Sequence, residues 1–180
     1  MYQLSIQLIV FLFSQQVERT YSLLVPGNSW AYETLNGTFE DKIIGEKYIY
    51  KGIVYYQNVR SYADGTAEVT YYRKDKNGAT LYLDNKTFKE SIEIPANPIL
   101  SYRWLSSDGK WTYKIIEVGT TLKTPKGDLF KSCIAIQAQS NDGGGTFLNY
   151  YAEGIGFVGS KSGGQLVAYL VKWNTKEQKT

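Results

Sequence analysis

Tyrosine is the residue type through which this chain could do chemistry. Sixteen Tyr stand among its 180 residues, and three pairs are adjacent: Tyr55-Tyr56, Tyr71-Tyr72 and Tyr150-Tyr151. Neighbouring side chains in a strand point to opposite faces, so each pair places one ring in a core and the other on a second surface. That second ring can rest on a half-wet sheet face with its hydroxyl in water. On a concave face it can instead hold an apolar or sugar ligand. The candidate ligand contacts are Tyr56, Tyr72, Tyr82 and Tyr151, with Cys133 on a nearby strand.

Other chemistries are poorly served. The chain has no His, which removes the commonest general base and metal ligand and with them a Ser-His-Asp triad or a His-containing zinc site. Cys133 is the single cysteine, so no intrachain disulfide forms, and no charge pair beside it in sequence marks it as an activated thiol. Asp75-Lys76-Asn77-Gly78 has the start of a calcium loop. Lys74 and Lys76 flank it and the closing Glu is missing, so it reads as a hairpin turn. Gly154 and Gly156 lack the third glycine and the helix of a phosphate cradle. Local spacing pairs no two carboxylates. A hydrolase using distant carboxylates is therefore the third-ranked reading. No catalytic residue, metal or cofactor is expected.

The elements that must position the tyrosines are strands. Seventeen Gly, four Pro and 15% aromatic residues describe pleated segments joined by tight turns. Asn36-Gly37, Asp64-Gly65, Asn77-Gly78, Asp108-Gly109 and Ser162-Gly163-Gly164 punctuate runs such as Gly52 to Val59 and Thr66 to Lys74. No stretch reads as a helix longer than a turn. The expected fold is all-β, a curved antiparallel sheet, or half-barrel, of roughly ten or more strands. In the run Asp128 to Gln139, Phe130, Ser132, Ile134, Ile136 and Ala138 form the better core face, which leaves Cys133 on the wetter one.

Two halves are similar. GNSWAY at 27–32 and DGKWTY at 108–113 each lead from a turn into Trp-x-Tyr, with Trp30 and Trp111 offset by 81 (111 − 30). Thr70 to Leu83 aligns with Asn149 to Ser162 at an offset of 79 (149 − 70). An internal duplication follows, with Trp30 and Trp111 as paired core anchors. The expected organisation is one β domain over 17–175, its halves at about 24–96 and 99–173, and a tail at 176–180. Leu4 to Phe13 has the length of a signal-peptide apolar region cleaved near Gln15, giving a segment 1–16, or equally of a buried first strand. The net charge of +3, from 20 basic and 17 acidic residues, gives no field for nucleic acid, and no transmembrane segment is expected.

The order LVPGNSWAY, YYRKDKNGATLY, LSSDGKWTY, TLKTPKGDLFKSCIAI and YYAEGIGFVGSKSGGQLVAYL resembles a group of Bacteroidota-type secreted and envelope proteins of unknown function. Their domain is similar to the lipoprotein-localisation-factor (LolA-like) half-barrel. The resemblance runs from about Leu23 to Leu170. It implies a curved sheet around an apolar interior in a non-catalytic, secreted or periplasmic protein that carries or senses a hydrophobic small molecule or lipid. The alternative use of the same scaffold is a structural, adhesion or protein-interaction module with a filled core and a protein partner.

Overall fold

The computed structural model describes residues 20–176, so the apolar run at 4–13 lies outside the described residues. Twelve strands follow one another: β1 (Ser29–Thr34), β2 (Gly37–Tyr50), β3 (Ile53–Tyr62), β4 (Ala67–Lys74), β5 (Thr80–Leu83), β6 (Glu90–Ile94), β7 (Arg103–Leu105), β8 (Trp111–Lys123), β9 (Leu129–Ser140), β10 (Thr146–Ala152), β11 (Gly156–Ser162) and β12 (Gln165–Asn174). They form a single antiparallel sheet in the order β6-β5-β4-β3-β2-β1-β12-β11-β10-β9-β8-β7. Each half is a six-strand meander, and β1 pairs with β12 to join them. Asn36-Gly37 closes β1 onto β2 through the Thr34–Gly37 pair, the tight hairpin the dipeptide favours.

The sheet curls into a nearly closed barrel whose two edges, β6 and β7, meet without a ladder. Side chains bridge the seam instead. Trp104 Nε1 donates to the Ile92 carbonyl at 2.8 Å, and the Ser107 amide donates to Ser91 Oγ at 2.6 Å. Trp104 and Ile94 share an apolar cluster with Ile115, Ile134, Ile136 and Tyr151. The segment before β1 closes one end of the interior, with Tyr21, Leu23 and Leu24 buried.

Cross-strand partners share a face, so the pairing defines inside and outside. Tyr56, Tyr72, Tyr82 and Ser91 are successive partners across β3, β4, β5 and β6 on the inner face. Glu33, Tyr169, Gly159, Tyr150 and Ala135 form an outer row across β1, β12, β11, β10 and β9.

Over that outer row folds the far end of the β8–β9 hairpin. Three register shifts bend this pair, and Gly119 and Ser132 take φ of 74° and 53°. The arm reaches across β10 and β11. Lys126 at its tip pairs with Glu33, and Phe130 packs edge-on against Trp173 at 5.4 Å. Gly159 is required beneath it, since a Cβ there would lie 2.8 Å from Leu122 Cδ2 and 2.9 Å from the Ala168 carbonyl.

Two expectations are corrected here. The face of β9 bearing Cys133 is not wet: Cys133 and Ala135 are fully buried under the arm. The turn at Ser132 breaks the alternation, so Phe130 joins Cys133 and Ala135 in one cluster while Ser132 is exposed. Trp30 and Trp111 are not a matched pair either. Trp30 is buried on β1, whereas Trp111 is half-buried on β8, with four strands between them in the sheet.

Candidate functional site in the barrel interior

Inside the barrel lies a cavity of about 360 Å³. Its apolar wall is Leu23, Leu24, Trp30, Tyr32, Phe39, Ile43, Ile94 and Phe157, with Ala168 leaving space on β12. Its polar wall is Asn58, Asp41, Arg60, Tyr72, Thr80, Glu93, Asn149 and Tyr151. A second chamber of about 190 Å³ meets it at Glu93, Asn149 and Tyr151 and is otherwise lined by Trp111, Tyr113, Ile136, Ala138 and Phe147.

Asp41 and Arg60 are direct partners on β2 and β3, and their side chains form a two-pronged ion pair, with Nε to Oδ1 and Nη2 to Oδ2 both at 2.8 Å. Such a fork holds both groups in a fixed plane. The guanidinium also lies over the Phe39 ring at 4.2 Å. Burial opposes the charge of Arg60, but the hydrogen bonds and charge of Asp41 outweigh it and strengthen its hold on the proton. The pair is electrically closed.

Glu93 is not. The ladder between β5 and β6 shifts register between Thr80 and Leu81, so Glu93 and the next residue, Ile94, both line the cavity. A bulge that re-aims a side chain in this way is a common device beside binding sites. The hydroxyl of Tyr151 donates to Glu93 Oε1 at 2.7 Å. Burial pushes the Glu93 carboxyl above its usual range, partly offset by the Tyr151 hydrogen bond and the charge of Arg60. The hydroxyls of Tyr32, Tyr72 and Tyr151 are held well above the usual phenol range, burial being the largest cause in each, so all three are neutral donors.

Of the five ligand contacts read from sequence, Tyr72 and Tyr151 line the cavity. Tyr56 and Tyr82 flank Tyr72 in the same inner row but are not in the cavity wall. Lys47 Nζ stands over the Tyr56 ring at 2.9 Å, and Tyr82 lies beside Ser91 and Tyr113. Cys133 does not join them: it is sealed under the arm, its thiol pushed up to about 11 by burial. Sequence reasoning missed Asp41, Arg60, Glu93 and Asn149. Asp41 and Arg60 lie 19 positions apart, and only the β2–β3 register brings them together.

Among the described residues no three His, Cys, Asp or Glu side chains gather to hold a metal, and no helix is long and apolar enough to cross a membrane. No protein-family model, curated protein or solved structure matches this chain.

Proposed function

We propose that this is a non-catalytic binding protein of the secreted or cell-envelope type that holds an apolar or lipid-like small molecule inside its barrel. One observation carries the reading: an interior of about 360 Å³, with Trp30, Tyr32, Phe39 and Phe157 on one side and fixed polar groups on the other. Volumes of 300–1,000 Å³ with mostly apolar walls and a few convergent polar groups are typical of small-molecule sites. The resemblance read from the sequence to lipoprotein-localisation-factor-like proteins implies the same ligand class and compartment.

The reading is tested by native mass spectrometry of the purified full chain and by filling the space. Ala168→Leu adds bulk on the cavity wall. Wild-type protein is expected to carry or take up an apolar molecule that the variant excludes, with both variants folded by circular dichroism. A wild-type protein that stays empty when offered alkyl amphiphiles would overturn it. N-terminal sequencing of exported protein tests the compartment.

The interaction-module reading rests on a different feature. Ile99, Leu100, Tyr102 and Leu105 are exposed together around the short edge strand β7, an apolar patch of the kind that marks contact surfaces.

A further inference from the structure

The two chambers share Glu93 and differ in what else lines them, and the lining of the smaller specifies the ligand. In the larger, Arg60 is cancelled by Asp41. Among the described residues no Lys or Arg lines the smaller, and Glu93 is the one charged side chain in its wall. Trp111, Tyr113, Phe147 and Tyr151 line the same chamber, and Tyr151 reaches the carboxylate. An aromatic face carries negative charge density and attracts cations within about 6 Å of its centre. Among the described residues Glu93 has no ion-pair partner, its bond from Tyr151 coming from a neutral hydroxyl. Both features ask for a positive group, and neither suits an anion.

We propose that the smaller chamber binds an organic cation, an alkylammonium head seated on Glu93 within the ring of Trp111, Tyr113, Phe147 and Tyr151, with its apolar chain running into the larger chamber. The proposal rests on the interior-binding reading above and names its ligand class. A chamber of about 190 Å³ has room for roughly six waters at their liquid volume of ~30 Å³ each, enough for a head group of several heavy atoms. Glu93, Asn149 and Tyr151 line both chambers, and Tyr72 and Phe157 line the larger one, which the tail would occupy.

The groups facing Glu93 define its pH behaviour. They are Tyr151 on β10, Asp41 and Arg60 on β2 and β3, Tyr72 and Tyr82 on β4 and β5, and Tyr113 on β8. Burial keeps these tyrosines neutral and Asp41 holds Arg60 charged. Ammonium affinity therefore falls as pH drops through the Glu93 titration, because protonation removes the counter-charge.

Calorimetric titration of the full chain at pH 8.5 with octyltrimethylammonium, 1-octanol and octanoate tests this. The ammonium is expected to bind at least tenfold more tightly than either other probe. Glu93→Gln should erase that preference. In the wild type, ammonium affinity should decline towards pH 4 while octanol affinity stays level. Equal or tighter binding of octanoate or octanol, or a preference that survives Glu93→Gln, overturns the cation site while leaving an interior binding site standing. If none of the three binds, the interior-binding reading itself fails. If Glu93→Gln does not fold, the wild-type ranking and its pH profile decide.

Discussion

The two faces of this sheet solve the same packing problem in opposite ways. On the outer face beneath the β8–β9 arm, rings lie opposite small residues: Tyr150 is partnered by Gly159 and Ala135, so the arm can settle until Leu122 rests on Gly159. On the inner face, rings lie among fixed polar groups: Tyr151 reaches Glu93, and Trp30 is partnered by Asp41, which Arg60 grips. Polar groups held by their own hydrogen bonds cannot collapse together as methyl groups do, because dry contact would strip them of partners. One face is consequently filled and the other hollow, although Tyr150 and Tyr151 are consecutive and almost equally buried.

Substitutions on each face should keep that contrast or destroy it. Arg60→Ala leaves Asp41 with 11% side-chain exposure and no counter-charge. Breaking a fully buried pair costs ~3–5 kcal/mol, and the 38% exposure of Arg60 lowers the expected loss to about 2–3 kcal/mol by urea unfolding. A loss below about 1 kcal/mol would mean that the pair does not hold the cavity open. Next comes Gly159→Ala, where a methyl group meets the Ala168 backbone and the loss should reach about 2 kcal/mol, as for other overpacked cores. The added methyl should also raise the reactivity of Cys133 towards a thiol reagent in the folded state, since the arm must lift.

Glu93→Gln probes the hollow face through pH. The folded carboxyl titrates above the unfolded one, so at low pH both states are protonated and the substitution is neutral. As pH rises through the interval between the two values, the unfolded chain has released a proton that the folded chain retains, and wild-type stability declines. The variant should thus gain in Tm over wild type above that interval and match it below. Glu90, three residues away on β6, has the opposite sign. Arg73 at 2.5 Å and then Tyr55 hold its carboxyl below the usual range, so its stabilisation is present at neutral pH and lost as pH falls through that lowered value. Lys126→Ala should change Tm least of all, because its pairing with Glu33 is solvent-exposed and the arm is held by Leu122 and Phe130.

The strands were legible in the sequence because alternation and Asn-Gly or Asp-Gly turns are local signals. The three Tyr pairs announced two working faces for the same reason. What could not be read depends on register. Glu93 faces inward within a shifted ladder, and Asp41 meets Arg60 despite a shift between Ile43 and Lys47 in β2. Cys133 does lie on the face opposite Ile134 and Ile136, but nothing local shows that the arm covers this face over a bare Gly159; the positive φ at Ser132 brings Phe130 to the same side. The Trp-x-Tyr motifs look alike in sequence but begin β1 and β8, one in the core and one on the smaller chamber.

The seam between β6 and β7 gives the barrel a mechanical polarity. Every other neighbouring pair of strands is joined by a backbone ladder, so parting them breaks several bonds together. Among the described residues two hydrogen bonds, from Trp104 and Ser107, join β6 directly to the β7 edge, each worth ~0.5–1.5 kcal/mol net, and Tyr151 ties Glu93 to β10 behind it. Glu93 sits on the strand that forms one lip of it. The wall beside the charged end of the interior is therefore the weakest in the molecule, and its amide protons at Ile92, Glu93 and Trp104 should be the first of the barrel wall to exchange with solvent.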